Sequence, residues 1–402
     1  MRRIGIPAHG FMDWGGGVDF LRLISDSLRQ ARPDIELHAF VPGQGPLSSL
    51  RSLRDSARAL AGRQAPSSQR PALEHIERVF AEADAAVHRI DIGMRALARA
   101  CERQGIDALV PAMTPLPPGL PPWVGYVPDF QHRHLPQFFA EDERARRDAY
   151  FARMLDSACA VIVNARAVVK DIEHYHPGHR ARVYALPFSP APGRDAFSVD
   201  IDEARRRHGV TGPYFIICNQ FWRHKDHGTA FRAFATIARR HPEMSLVCTG
   251  ATDDFRFPGF FEDLMRQAAR DGVAGRIRVL GLIPKPDQLA LLRGAMALIQ
   301  PTLFEGGPGG GAVYDAVAVG QRAIVSDIPV NKEISESTVS FFSAADADGL
   351  VARMDRLLDG TTGWPSQPSA RELQRHGIER RVACGHVLFN ALIFAKSERS
   401  FS

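Results

Sequence analysis

Leu303 to Ala316 reads LFEGGPGGGAVYDA, and this stretch decides how the rest of the chain is understood. The apolar run Ala297–Ile299 before it is β-compatible, Gly306 to Gly311 holds five glycines and a proline, and Ala312 to Val319 favours a helix. The expected order is strand, loop, helix. Glycines let the backbone approach a diphosphate, and the helix behind them presents unpaired N–H groups and the positive end of its dipole. Glu305 enters this loop and Asp315 lies a turn into the helix. Carboxylates would repel phosphate, so both are assigned to sugar or ribose hydroxyls. A flexible turn carrying two solvated acids is the plain alternative.

Working outward, 402 residues are too many for one ordinary core, and two α/β domains of roughly 190 residues each are expected. Hydrophobic content of 45% and charged content of 24% are globular values. Apolar runs stay short of the roughly 18 residues of a membrane span. The opening MRRIGIPAHGF is too short and polar for a signal peptide, which leads to the expectation of a cytoplasmic protein. Cys101, Cys159, Cys218, Cys248 and Cys384 lie far apart without a CxxC pair, so neither a zinc site nor a disulfide framework is expected, and most should be buried thiols. A net charge of +5 is low for a nucleic-acid binder. From Pro46 to Ala72, however, Arg51, Arg54, Arg58, Arg63 and Arg70 face only Asp55, with Leu47, Leu50, Leu53 and Leu60 interleaved. Two readings stand: an amphipathic helix on the anionic inner face of a membrane, or a solvated arginine face with its leucines packed inward.

In the first half, strand Arg3–Ala8, the glycines Gly15-Gly16-Gly17 and helix Val18–Gln30 open a Rossmann-like unit. The spacing is not GxGxxG, so Gly16 and Gly17 are read as backbone that meets a substrate, without commitment to NAD. Glu36–Val41 and Ile106–Pro111 are expected strands, with a helical, insertion-like segment from Pro46 to Gln104 between them. Trp123–Val127 is a strand whose C-terminal loop carries Asp129, His132 and His134, either an acid/base constellation or polar residues of a surface loop. The three lack a fourth partner for a metal. Helix Glu141–Cys159, strand Ala160–Asn164, helix Ala167–Tyr175 and strand Val183–Leu186 follow. Pro187 to Ser198 is the expected linker.

The second half repeats the pattern. Strands Tyr214–Cys218, Ser245–Thr249, Ile277–Leu280, Ala297–Ile299 and Arg322–Ser326 alternate with helices, and each strand end, at Asn219, Gly250, Gly281 and Asp327, should aim a loop the same way. A last helix is expected over Ile378–Lys396, with Val382, Leu388, Leu392 and Ile393 as its apolar positions.

FEGGPGGGAVYDA followed by GQRAIVSDIPVNKEI resembles the donor-binding segment of the retaining glycosyltransferases of family 4, which have the GT-B fold. NQFWRHKDH from Asn219 and PDFQHRHLPQFF from Pro128 resemble its bacterial surface-polysaccharide branch, lipopolysaccharide enzymes included. The resemblance implies an α/β protein of two Rossmann-like domains with a cleft between them: an acceptor domain over 1–190, a donor domain over 191–377, and a helix over 378–402 crossing back to the first lobe. It further implies a metal-independent hexosyltransferase with no cofactor, whose co-substrate is a nucleotide-sugar donor, first of all GDP-mannose. The acceptor would be a lipid-linked saccharide or an oligosaccharide, reached at the inner membrane face through a peripheral contact; no nucleic acid is involved.

Carried over residue by residue, Glu305 matches the first acid of the family's E-x7-E pair. The second falls on Val313, so Asp315 is taken as the ribose acid after a loop longer by two residues. Lys225 matches the lysine of the diphosphate clamp, but its arginine position holds Gln220, and Arg223 supplies the charge. In the family's first-lobe His-Asp step Asp129 is kept, Pro128 stands in the histidine position, and His132 takes over. Asp129, His132, Arg223, Lys225 and Glu305 are the catalytic candidates. Gly16, Gly17, Asn219, Gln220, Gly250, Leu282, Gly307, Gly309, Gly310, Gly311, Ala312 and Asp315 are the donor-binding ones, and no metal ligand is expected. The strings Asp200-Ile201-Asp202 and Asp346-Ala347-Asp348 are expected to cap helices. Competing readings are a sugar-nucleotide epimerase or hydrolase of the same fold, a catalytically silent binding subunit, which the departures at Pro128 and Gln220 suggest, and, most remotely, an NAD dehydrogenase.

Overall fold

A computed structural model describes residues 1–12, 16–43, 73–91, 93–360 and 368–399. The basic stretch Pro46–Ala72 lies outside the described residues, as does Gly15. Contacts divide the chain into two units. One comprises Met1–Asp129, Phe139–Pro187 and Arg381–Ser402, the other Phe130–Phe138 and Phe188–Arg380.

In the first unit the elements are β1 (Arg3–Pro7), α1 (Gly17–Ala31), β2 (Glu36–Pro42), α2 (Leu73–Glu82), β3 (Ala85–Ile90), α3 (Met94–Gln104), β4 (Ala108–Ala112) and β5 (Trp123–Tyr126). After the short α4 (Gln131–His134), which clusters with the second unit, come α5 (Glu141–Ser157), β6 (Ala160–Val163), α6 (Arg166–Tyr175) and β7 (Arg182–Ala185). The sheet is wholly parallel in the order β3-β2-β1-β4-β5-β6-β7. Strands covered on both faces read as continuous apolar runs, and β6 (AVIV) is buried at every position.

The expectation that Pro46–Gln104 is helical is corrected for its described part, because Ala85–Ile90 forms strand β3. Among the described residues this edge strand pairs with β2 alone, and it leaves Ala86 and Arg89 exposed, so its sequence AAVHRI lacks the apolar signature of an inner strand.

The second unit contains α7 (Ile201–Arg207), β8 (Tyr214–Cys218), α8 (His227–Arg240), β9 (Ser245–Thr249), α9 (Phe260–Arg270), β10 (Ile277–Gly281), α10 (Lys285–Gly294) and β11 (Leu298–Gln300). Then follow α11 (Gly310–Ala318), β12 (Ala323–Ser326), β13 (Val339–Phe342) and α12 (Ala347–Leu358), while α13 (Ala370–Arg399) begins here and ends in the first unit. Its parallel sheet runs β10-β9-β8-β11-β12-β13. One core, with Phe215, Ile217, Phe234 and Ile299, fills one face, and Tyr214, Ile216, Val313 and Val317 fill the other. Asp200 and Asp346 cap α7 and α12, accepting the N–H groups of Glu203 and Gly349 at 3.0 Å each.

Helix α13 starts eight residues earlier than expected. Of its four expected apolar positions Leu388 and Leu392 are fully buried, Val382 is half-buried and Ile393 is exposed. Cys384, Leu388, Ala391, Leu392 and Ala395 join the core of the first unit beside Leu21, Ile24 and Leu28 of α1.

Of the five cysteines Cys101, Cys248 and Cys384 are buried, Cys218 is half-buried and Cys159 is exposed.

Candidate functional site

Strand order reverses between β8 and β11, and in an open parallel sheet a ligand settles outside the carboxyl ends of the strands at such a point. Both loops expected to carry chemistry leave the second sheet there. The one after β8 runs Asn219–Asp226, with a single 3-10 turn at Arg223–Lys225, and the one after β11 runs 301–309. Backbone bonds tie them together: the His224 carbonyl accepts the Leu303 N–H at 2.8 Å and the Thr302 Oγ1 at 3.3 Å. Lys225 Nζ consequently lies 2.5 Å from Glu305 Oε1, with 15% and 10% of the two side chains exposed.

Gln300 braces this pair from below. Its Nε2 donates to Glu305 Oε1 at 3.1 Å and to the Gly309 carbonyl at 3.0 Å, while its Oε1 accepts Asn219 Nδ2 at 2.5 Å. On the other side the Gly309 N–H donates to Asn331 Oδ1 at 2.7 Å, and Asn331 Nδ2 donates to the Ser326 carbonyl at 2.9 Å. Gln300 and Asn331 are fully buried, and neither is among the residues the sequence singles out. A lone glutamine ending the apolar strand ALIQ is the available signal for the first; nothing local marks Asn331.

Helix α11 starts at Gly310, where φ is +59° and a β-carbon would stand 2.8 Å from Glu305 Oε2. Only glycine permits both this backbone and the close carboxylate. Gly307 lies just before, its carbonyl accepting the Gly310 N–H at 3.3 Å. Gly311 is exposed, and a β-carbon there would have nothing within 4 Å, so the first turn of α11 borders open space at Gly311. Packing of Val313, Ala316 and Val317 holds this helix in place. Asp315 accepts a bond from Lys285 of α10, a partner the sequence does not point to.

Arg223 is exposed. Its guanidinium lies 4.8 Å from the ring centre of Phe257 and 5.7 Å from that of Phe138. Asp254 closes the loop after β9 onto this turn, accepting the N–H groups of Arg223 and Arg256 at 3.0 Å each. Gly250 follows β9, its N–H bonded to the Gly281 carbonyl at 2.8 Å, and Leu282 stands 68% exposed beyond β10. Gln220 lies between Asn219 and the turn, half-buried, its carbonyl accepting the Trp222 N–H at 2.8 Å.

The structure separates the first-half candidates. Asp129 ends a segment of the first unit, whereas His132 and His134 belong to the second and sit in the short helix α4 rather than an open loop. His132 is completely buried against Phe130, and His134 is exposed, tilted over Phe304 at 5.3 Å. Gly16 precedes the first turn of α1, and a β-carbon on Gly17 would run into the Phe11 carbonyl at 1.9 Å. Gly17 therefore has a packing reason of its own. Among the described residues no group of three His, Cys, Asp or Glu side chains could hold a metal ion, and no helix is long and apolar enough to cross a membrane.

Burial, followed by the Lys225 charge, pushes two neighbouring histidines far down, His224 to about 2 and His227 to about 3. His227 stacks on Phe221 at 4.1 Å, and neither of its ring nitrogens has a hydrogen-bond partner among the described residues. The unfolded chain takes up protons on both rings below about pH 6.5 while the folded one does not, so stability falls as pH drops through that value. The two rings together should remove about 4 kcal/mol between pH 7 and pH 5. His227→Phe should abolish about half of this loss and be no less stable than wild type at pH 7, since it removes an unpaired buried polar ring. Urea unfolding at the two pH values measures both; an unchanged pH dependence would show that His227 titrates normally in the folded state.

Residues 200–378 match the family described as Glycosyl transferases group 1. No curated protein sequence matches the chain. Among solved structures, Anabaena HepE, in complex with UDP and glucose, aligns with a TM-score of 0.65 at 13% identity, covering 98% of this chain and 99% of that one. The sucrose-phosphate synthase of Thermosynechococcus elongatus aligns at 0.64 and 16% identity over 100% and 99% of the two chains. WaaG, a glycosyltransferase involved in lipopolysaccharide biosynthesis, aligns at 0.55 and 14% over 94% of each. The two Rossmann-like units thus have the GT-B fold of these neighbours, and the match to the group 1 family lies within the second.

Proposed function

We propose that the protein is a retaining glycosyltransferase that moves a hexose from a nucleoside-diphosphate sugar to a lipid-linked or saccharide acceptor in surface-polysaccharide synthesis. The observation that carries this reading is the Lys225–Glu305 pair, held at 2.5 Å beside the glycine start of α11 at the strand-order reversal. A diphosphate placed over Gly311 and Ala312 would meet helix N–H groups and the positive end of the dipole, with the Lys225 ammonium and the Arg223 guanidinium neutralising it. Its charge grows as the bond from the anomeric carbon to the phosphate oxygen breaks, and these groups are worth most at that moment. The acceptor oxygen bonds to the same face of the sugar, and its proton passes to the leaving phosphate, so no metal and no dedicated protein base is required. Glu305, braced by Gln300, accepts from hexose hydroxyls. Asp315 takes the ribose in exchange for Lys285. Asn219, Gln220, Gly250 and Leu282 complete the donor site.

GDP-mannose, from the resemblance to surface-polysaccharide enzymes, is the first donor to try, and UDP-glucose, from the HepE complexes, the second. The domain limits 1–190, 191–377 and 378–402, a cytoplasmic location and a peripheral contact with the inner membrane face belong to the same proposal. Thermal unfolding with GDP, UDP and dTDP tests it. A nucleotide at 100 times its Kd should stabilise the protein by about 2.7 kcal/mol, seen as a melting point raised by several degrees with one base. No shift with any of the three would instead favour a silent GT-B-like binding subunit, a reading that Gln220 in the clamp position already suggests.

A further inference from the structure

A cavity of about 330 Å³ opens in the first unit, lined by none of the residues assigned above. Its floor is the carboxyl ends of β2 and β3, where the Gly43 N–H donates to the Ile90 carbonyl at 2.7 Å, and its wall is α3. Ala96 adds a small apolar surface, and the charged side chains lining it are Asp91 and the three arginines Arg89, Arg99 and Arg103.

These arginines are not equivalent. Arg89 is spoken for, gripping Glu77 through two bonds of 2.6 and 2.8 Å. Arg99 and Arg103 stand one turn apart on the exposed face of α3, and neither makes a hydrogen bond or ion pair among the described residues. Like charges four residues apart on one helix face repel each other. The charge of Arg103 reaches inward, helping to hold the His88 imidazole below its ordinary value after burial has lowered it. Two unpartnered guanidinium forks over one cavity match an anion with three oxygens better than a carboxylate, which one fork satisfies. Among the described residues no aromatic ring lines the cavity to stack a base, and Ile90 alone offers sizeable apolar surface.

Its place in the sheet adds a second argument. Ligands bind parallel α/β sheets at the carboxyl ends of the strands, and the cavity lies at that end of β2 and β3. The turn carrying Gly16 and Gly17 leaves the same end of β1, two strand spacings away in the order β3-β2-β1, or about 10 Å.

We propose that Arg99 and Arg103 bind the phosphate ester of a phosphorylated acceptor. Calling the ligand an acceptor rests on the transferase reading; the phosphate site itself does not. The test is calorimetric titration of the full chain with methyl phosphate at low salt, in wild type, Arg99→Ala/Arg103→Ala, Lys225→Ala and the charge control Arg266→Ala/Arg270→Ala. The cavity variant should bind at least tenfold more weakly, while Lys225→Ala and the control keep the site. Wild-type binding by the cavity variant, or an equal loss in the control, overturns the proposal. In the first case the response of Lys225→Ala to GDP and UDP still judges the transferase reading separately. Co-sedimentation with phosphatidylcholine vesicles containing phosphatidate then assigns the source. Pelleting that depends on Arg99 and Arg103 puts the phosphate on a lipid, and methyl phosphate binding without pelleting puts it on a soluble saccharide.

Discussion

Lys225→Ala is expected to lower kcat/KM for transfer by about 10²–10³-fold, the usual cost of removing one preorganised group from a developing charge. The same change leaves Glu305 nearly buried with Gln300 as its remaining side-chain donor, and stripping one partner from a buried pair costs about 3–5 kcal/mol. Lost activity could therefore reflect lost structure, and a second variant separates the two. In Lys225→Ala/Glu305→Gln the orphaned charge is gone, so stability should return most of the way to wild type while activity does not. Wild-type kcat/KM in Lys225→Ala, once the nucleotide is known, would remove this lysine from the chemistry and with it the central assignment.

Gly385→Ala should strongly destabilise the first unit. Helix α13 crosses α1 so closely that a β-carbon on Gly385 would lie 2.0 Å from the Ser27 carbonyl oxygen and 2.5 Å from Ala31 Cβ. Alanine would gain about 1 kcal/mol of helix propensity over glycine. Forcing two packed helices apart costs up to about 3 kcal/mol or more, and it also loosens Leu388 and Leu392 in the core, so the net loss should be about 2 kcal/mol. Urea unfolding followed by circular dichroism gives the figure directly, and a variant as stable as wild type would show that α13 can shift on α1 without penalty.

The parts of the fold that are legible in sequence are those whose signal is local. Tyr214–Cys218 and Ser245–Thr249 can be read with the bounds they have, because inner strands of a parallel sheet are unbroken apolar runs between turn residues. Strands β3 and β13 escape such a reading: both lie at a sheet edge, and His88 and Arg89 in the one and Ser340 in the other interrupt the apolar run. Acidic helix caps at Asp200 and Asp346 are legible because the bond they make spans three residues.

The candidate site divides in the same way. The glycines after β11 and the lysine after β8 stand out singly, whether as an anion-binding turn or through a family resemblance. Gln300 under Glu305, Asn331 against Gly309 and Lys285 on Asp315 do not, because each bond joins groups whose meeting depends on how the loops fold. His132 shows the opposite failure: a polar residue after a strand reads as exposed, yet it is completely buried.

By itself the sequence determined two alternations of strand and helix, the glycine-rich turn that opens α11, and the chemical types available around it, because periodicity, turn chemistry and charge are properties of neighbouring residues. Only the tertiary structure decided that Lys225 and Glu305, 80 positions apart, meet at 2.5 Å, that Lys285 occupies Asp315, and that Arg99 and Arg103 overlook a cavity. Strand order brings those elements side by side, and it is set by how the crossover helices bury their apolar faces, a balance summed over the whole unit that no local stretch of residues records.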